Sequence, residues 1–423
     1  MSTMTETTAS AITEATTDLT IARMGAQGDA IATTGHGQVF VPYALPGEKV
    51  RGTLEKDRFK LAEILTPSAE RIAPACTHFG RCGGCQLQHW QATPYLEWKR
   101  ALVADALGWE KIETEIHPTL DAHGAGRRRV IFHGRRYGKR TVVGFAERRS
   151  YTMVDLEECP VLSPELEKAL PAARAVAQML ATLNKPLDLQ LIATETGLDM
   201  DVRGSGPLPA TVLMDLADIA ERYNLARFTR HGELLLQRAA PTLTMGRARV
   251  ELPAAAFLQA TVLGEETLAR LVNEAATGAK KVADLFSGVG TFALRLAETA
   301  QVFAAESHAG AMAALLKASH SASGLKAVKG ETRDLFRRPL MAQELAAFDL
   351  VVIDPPRQGA EAQARELATA KLGRLVYVSC NPVSFARDAR ILIEGGWSLE
   401  SVTPVDQFRY TAHVELVGRF VRK

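Results

Sequence analysis

The rhythm of apolar and polar positions changes near Ala279. From there onward, short apolar runs alternate with stretches of helical period, the signature of strand–helix alternation. Strands are expected at Lys281–Phe286, Gln301–Ala305, Lys326–Lys329, Phe348–Ile353 and Arg374–Ser379, with a late one at Val414–Phe420. Helices are expected at Phe292–Glu298, Gly310–Ser323, Glu361–Ala370 and Phe385–Glu394. Residues 251–423 thus read as an α/β, doubly wound, Rossmann-like domain with a parallel sheet, whose ligands lie at the carboxyl ends of its strands.

Upstream the pattern differs. Residues 18–68 read as short β segments broken by turns such as Gly28-Asp29 and Pro46-Gly47, which suggests a small β-barrel. Pro67 to Pro74 resemble a linker. Residues 69–250 mix strand-like runs (Arg129–His133, Thr141–Phe145, Leu187–Ala193, Glu233–Gln237) with a helical stretch from Pro164 to Leu183, an α+β middle domain. Residues 1–17 are rich in Thr, Ser, Glu and Ala, and are expected to be a disordered tail rather than a secretory signal. A chain of 423 residues accommodates these domains, and no internal repeat at a fixed period is present.

Composition narrows the class. With 47% apolar and 23% charged residues the chain is an ordinary globular one. No apolar run reaches the roughly 18 to 20 residues that span a bilayer, so a cytoplasmic protein with reduced cysteines and no membrane partner is expected. A net charge of +2 decides nothing, but its distribution does. Arg127, Arg128, Arg129, Arg135, Arg136, Lys139, Arg140, Arg148 and Arg149 face one acid, Glu147, with Phe132, Tyr137 and Phe145 interleaved. Such a segment suits phosphates and bases, although a solvated sheet face would look the same.

Candidate chemistry gathers at the strand ends. Asp284-Leu285-Phe286-Ser287-Gly288-Val289-Gly290-Thr291 turns the first strand into the first helix, and its glycines let the backbone approach a ligand. With Ala293 the spacing also fits a dinucleotide turn. Asp284, however, would repel a pyrophosphate and suits a cationic amino acid, which favours S-adenosylmethionine over NAD. Glu306, 22 residues on, can bind ribose hydroxyls.

Asp354-Pro355-Pro356-Arg357 closes an apolar strand, and its prolines rigidify the loop that carries Asp354. Amine methyltransferases place an aromatic where Arg357 stands. Ser379-Cys380-Asn381-Pro382 ends the next strand. Uracil carbon 5 is too weak a nucleophile to attack a methyl group unaided, and thiolate addition at carbon 6 makes it an enolate. A base must then remove the carbon 5 proton so that the cysteine can leave. Glu415, 35 residues after Cys380, is the candidate, and His413 is the alternative.

Four further cysteines remain: Cys76, Cys82, Cys85 and the distant Cys159-Pro160. Only one CxxC pair is present where zinc sites usually have two. Three clustered thiols plus a remote Cys-Pro favour an iron–sulfur cluster over zinc.

Together these motifs resemble the RNA (uracil-C5)-methyltransferase family, over nearly the whole chain from residue 18. The resemblance implies a TRAM domain for the barrel and a [4Fe–4S] cluster on Cys76, Cys82, Cys85 and Cys159. It implies cofactor contacts from Gln259 (in Phe257-Leu258-Gln259), Phe286, Gly288, Thr291, Glu306 and Asp354, with Cys380 as nucleophile and Glu415 as base. Thr332 falls near a further polar contact. Ser287 and Thr291 stand where Cys and Asn are frequent, and Arg409 replaces a usual proline in Asp406-Gln407-Phe408-Arg409-Tyr410-Thr411. The expected substrate is 23S rRNA, with the T-loop uridine of tRNA as alternative, and a monomer is expected. An amine methyltransferase and a non-catalytic RNA-binding protein on the same scaffold are the competing readings.

Overall fold

The computed structural model describes residues 16–35, 37–181, 185–208 and 210–422. The expected tail lies outside these residues up to position 15, as does the end of the helix expected to reach Leu183. The chain divides into two compact units. The first runs up to Pro74 and includes Gln86–Pro94; the second comprises Ala75–Cys85 and Tyr95–Lys423.

In the first unit, strands Thr17–Met24, Ala30–Thr34, Gly37–Val41, Lys49–Glu55 and Arg58–Thr66 close into a barrel. Leu19, Ile21, Val39, Val41, Val50 and Phe59 fill its interior by strand alternation. The segment expected to be a linker is anchored. Arg71 pairs with the fully buried Glu48 at 2.6 Å, and the Ser68 and Leu45 amides donate to the same carboxylate. A buried carboxylate so supplied with donors holds the segment against the barrel.

Besides a two-stranded pair, Thr242–Met245 with Ala248–Glu251, the second unit holds two larger sheets among the described residues. The smaller has seven strands, in the spatial order Met153–Asp155, Arg140–Ala146, Arg129–Tyr137, Leu187–Thr194, Gly197–Arg203, Leu225–Arg230 and Glu233–Gln237. Helix Ala169–Leu180 buries Ala172, Ala173, Val176 and Ala177 in the core that also takes in Phe132 and Leu189 of this sheet.

The larger sheet carries the chemistry. Its main strands are β1 (Lys281–Leu285), β2 (Gln301–Glu306), β3 (Val328–Thr332), β4 (Leu350–Ile353), β5 (Arg374–Ser379), β6 (Ser398–Asp406) and β7 (Glu415–Val421), in the order β3-β2-β1-β4-β5-β7-β6. Val351, Val352, Ile353, Val376, Tyr377 and Val378 are buried, as strands covered on both faces require. The first five strands are parallel, but β7 runs antiparallel to both β5 and β6. This departs from the all-parallel expectation for a geometric reason. The connection from Asp406 to Glu415 is too short for the crossover that a parallel pairing needs. Strand β6 was not anticipated from the sequence.

Candidate functional site

The carboxyl ends of β1, β2, β4 and β5 meet the amino end of β7. On β1, Asp284 is fully buried and neither oxygen has a hydrogen-bond partner. Burial, then the nearby Asp354 and Glu306, push its carboxyl well above the usual range. Phe286 adopts φ 62°, outside ordinary strand space, and its ring lies 5.4 Å from that of Phe336. The Gly288 amide donates to Glu306 Oε2 at 3.1 Å, tying the turn to β2. The two glycines differ. A Cβ on Gly288 would meet nothing within 4 Å, whereas one on Gly290 (φ 102°) would strike Leu294 at 2.9 Å. Gly288 therefore opens the backbone to a ligand, and Gly290 serves packing. Thr291 ends the turn, its carbonyl accepting from Arg295 at 2.7 Å. Thr332 pairs with Glu306 across β2 and β3.

A continuous set of side-chain hydrogen bonds joins the other predicted residues. Gln259 Nε2 donates to Asp354 Oδ2 at 3.2 Å. Gln407 Nε2 donates both to Gln259 Oε1 at 2.6 Å and to Glu415 Oε1 at 3.1 Å. Gln407 Oε1 accepts from the Ala260 amide at 2.8 Å. Glu415 Oε2 is buried without a partner. Burial and the negative Asp354 push the Glu415 carboxyl up to about 8, opposed by the Gln407 hydrogen bond and by Arg357. Burial raises Asp354 itself to about 7. The backbone beneath Gln259 is held by Arg128, whose guanidinium donates to its carbonyl and pairs with buried Glu265.

Cys380 follows Ser379, which pairs with Leu416 on β7, so antiparallel register sets Cys380 opposite Glu415. Burial, Glu415 and Asp354 push its thiol up to about 12, and Arg357 alone among its charged neighbours pulls it down. The Arg357 carbonyl accepts from Asn381 Nδ2 at 2.8 Å and Ser384 Oγ at 3.0 Å, which locks the Asp-Pro-Pro-Arg loop to the cysteine loop. His413 precedes β7 rather than lying in it, so strand alternation does not aim it with Glu415. Its Nδ1 sits 3.3 Å from Arg357 instead. Burial and the cations Arg357, Lys99 and Arg127 hold its pKa down to about 4.

The loop between β6 and β7 rests on groups that the sequence did not single out. Lys99 is completely buried; its Nζ donates to Asp406 Oδ1 at 2.5 Å and to the carbonyls of His413 (2.5 Å) and Phe408 (3.3 Å). Arg409 pairs with Asp121, and the Tyr410 amide donates to Tyr95 at 2.9 Å. Arg409 is thus an anchor where a rigid proline was expected.

The four upstream cysteines converge. The loop at 76–85 is pinned by the Gly83 amide on the Ala146 carbonyl (2.9 Å), where any Cβ would clash, and by the Glu157 amide on His78. Burial pushes the Cys159 thiol up to about 12, and the thiols of Cys85, Cys82 and Cys76 each add to the rise. Among the described residues, however, no group of three or more His, Cys, Asp or Glu side chains stands close enough to hold a metal ion as arranged. The arginine segment is less free than its composition suggests: Arg128 is committed to Glu265, and Arg140 pairs with Asp155 at 3.0 Å. Among the described residues no helix is long and apolar enough to cross a membrane.

Sequence reasoning missed Gln407, Lys99, Arg128 and Phe336. The first three signal themselves only as polar residues in otherwise apolar surroundings, and their partners lie far away in the chain.

Comparison with known proteins gives this geometry a context. Residues 250–423 match the model of the tRNA (uracil-5-)-methyltransferase family. An uncharacterized RNA methyltransferase of Caulobacter vibrioides is 49% identical over 96% of this chain and all of its own length. A 23S rRNA (uracil(1939)-C(5))-methyltransferase of Chromohalobacter salexigens is 32% identical over 95% of this chain and 89% of its own. The fold matches that of the Pyrococcus abyssi tRNA (uracil-54, C5)-methyltransferase solved with S-adenosyl-L-homocysteine, with a TM-score of 0.72 at 22% identity, covering 96% of this chain and 99% of that one.

Proposed function

The chain belongs to the family of S-adenosylmethionine-dependent RNA (uracil-C5)-methyltransferases, and from that premise we propose that it methylates a uridine of 23S rRNA through a covalent Cys380 adduct. The observation that carries the mechanism is the opposition of Cys380 and Glu415, with Asp354, Gln259 and Gln407 in one hydrogen-bonded frame. The ribosomal choice leans on the 32% identical relative, whose match spans both units. The tRNA descriptions come from a family model confined to residues 250–423 and from a solved structure that is 22% identical, a likeness of fold alone.

S-adenosylmethionine supplies an electrophilic methyl group when bound. The buried, unpartnered Asp284 carboxylate fits its cationic amino-acid end, because a charge there compensates the desolvation of the acid. Glu306, on the open Gly288 turn, suits ribose hydroxyls, and Phe286, Gln259, Asp354 and Thr291 complete the contacts. Once its proton has passed to solvent, the Cys380 thiolate adds to uracil carbon 6, and the electron pair of the carbon 5–carbon 6 bond moves into an enolate nucleophilic at carbon 5. After methylation Glu415 Oε2 takes the carbon 5 proton; the carbon–carbon double bond re-forms and the sulfur leaves as thiolate. In the resting protein Cys380 is a thiol. Positive charge is required beside it for activation, and Arg357 is the protein's own contribution. An amine methyltransferase would need neither Cys380 nor Glu415.

We read the donor set, Cys76, Cys82 and Cys85 on the pinned loop with the remote Cys159, as suited to a [4Fe–4S] cluster rather than zinc. Its role is to brace the middle domain, residues 69–250, beside the arginine segment. The barrel at 18–68 is read as a TRAM-type RNA module. The protein is read as a cytoplasmic monomer.

Mapping 5-methyluridine in cells lacking the protein tests the reading. Loss of one site in 23S rRNA, with tRNA unchanged, is expected. Loss from the tRNA T-loop would overturn the choice of RNA, and no loss in either would overturn the function.

A further inference from the structure

We propose that Gln407 is a positioning residue that fixes which oxygen of Glu415 acts as the base and keeps that base in one frame with the cofactor contact Gln259. The inference rests on the covalent mechanism above. It starts from hydrogen-bond direction. A carboxamide has an accepting end and a donating end, which side-chain density or shape alone does not distinguish. Here the choice is forced, because the Ala260 backbone amide can only donate and lies 2.8 Å from Gln407 Oε1. The amino end of Gln407 must therefore point the other way, at Gln259 Oε1 (2.6 Å) and Glu415 Oε1 (3.1 Å). Gln259 is oriented in turn: its oxygen is taken by Gln407, so its amino end faces Asp354. One backbone N–H thereby sets two amides and both carboxylates.

The consequence is an asymmetric base. Glu415 Oε1 is occupied by a donor, and Oε2 is left bare in a buried site. The charged groups facing Glu415 are Asp354, which resists its ionisation, and Arg357, which favours it, while Cys380 opposite is a neutral thiol. Gln407 is the one amide donor in that company. Because it is 0% exposed and held at both ends, it cannot swing away when the carboxylate changes charge. In the elimination step the carbon 5 proton goes to Oε2, the carbon 5 electron pair closes the double bond, and the carbon 6–sulfur bond breaks with the electrons returning to sulfur. Gln407 enters no bond in this sequence. It favours the ionised form of Glu415 and keeps it aimed.

The test uses full-length Gln407→Met, which keeps side-chain length and removes the donor, and Gln407→Glu, which keeps shape and the acceptor for Ala260 but turns a carboxylate toward Glu415. Each is incubated with S-adenosylmethionine and substrate RNA, and the denaturation-resistant protein–RNA adduct is measured beside released 5-methyluridine. Both variants should bind RNA within about threefold of wild type and S-adenosylhomocysteine more weakly, since Gln259 loses the amide that orients it. Product release should fall about 10- to 100-fold, the worth of one hydrogen bond to a charged group, while adduct accumulates. The pH midpoint of release should rise in Gln407→Met. Wild-type release with no adduct in either variant overturns the proposal. Glu415→Gln run in parallel separates the two levels: if it too fails to trap adduct, the covalent mechanism itself is wrong. Variants that lose RNA binding together with release would show Gln407 to be merely structural, which also overturns it.

Discussion

Cys380 and Glu415 face each other because Ser379 pairs with Leu416 across the antiparallel strands β5 and β7. A sulfur at the carboxyl end of one strand and a carboxylate at the amino end of its neighbour reach the same point of the sheet rim from opposite directions. That relationship brings nucleophile and base to one substrate ring, and it depends on register. A slip of one residue would turn Glu415 to the opposite face of the sheet.

The reaction should carry the signature of a base with a raised pKa. Glu415 must be ionised to accept the carbon 5 proton, so product release should increase as pH rises through about 8 and level off above it. Single-turnover release measured from pH 6 to 9.5 checks this. A profile flat across that window would rule out Glu415 as the titrating base.

Lys99→Met should be strongly destabilising. It leaves the completely buried Asp406 without its cation, a loss on the order of 3–5 kcal/mol. The double variant Lys99→Met with Asp406→Leu should recover part of that loss, since no unpaired charge then remains. Denaturant melts of the three proteins measure it, and a double variant less stable than either single one would contradict the account.

Arg128→Ala should weaken cofactor binding without touching the cofactor. The Gln259 carbonyl loses its donor and Glu265 keeps only Arg295. A loss of about 1–3 kcal/mol in S-adenosylhomocysteine affinity is expected by calorimetry. Unchanged affinity would mean that the Gln259 backbone holds its place unaided.

Protein purified without oxygen should be brown and carry about four irons per chain. Cys159→Ser should reduce iron content, whereas Cys380→Ala should leave it unchanged. Colourless protein containing zinc would replace the cluster with a zinc site.

The sequence by itself determined the local chemistry: the Asp284 to Thr291 turn, the rigid Asp-Pro-Pro-Arg loop and the Ser-Cys-Asn-Pro strand end. Each is a strand-to-helix junction whose conformation is dictated by neighbours within a few residues, so pattern and turn chemistry suffice to read it. Strand β5 was legible to the residue for the same reason, as a short apolar run bounded by polar ones. The tertiary structure decided what lies between those motifs. Strand β6 and the antiparallel β7 depend on pairing partners, and pairing register is not written in either strand alone. The amide frame from Asp354 through Gln259 and Gln407 to Glu415 joins residues up to 148 positions apart. Lys99 reaches Asp406 across 307. A buried polar residue becomes intelligible only when its partner is known, because burial without one carries a desolvation penalty. Such partners are chosen by packing, which no local window of sequence contains.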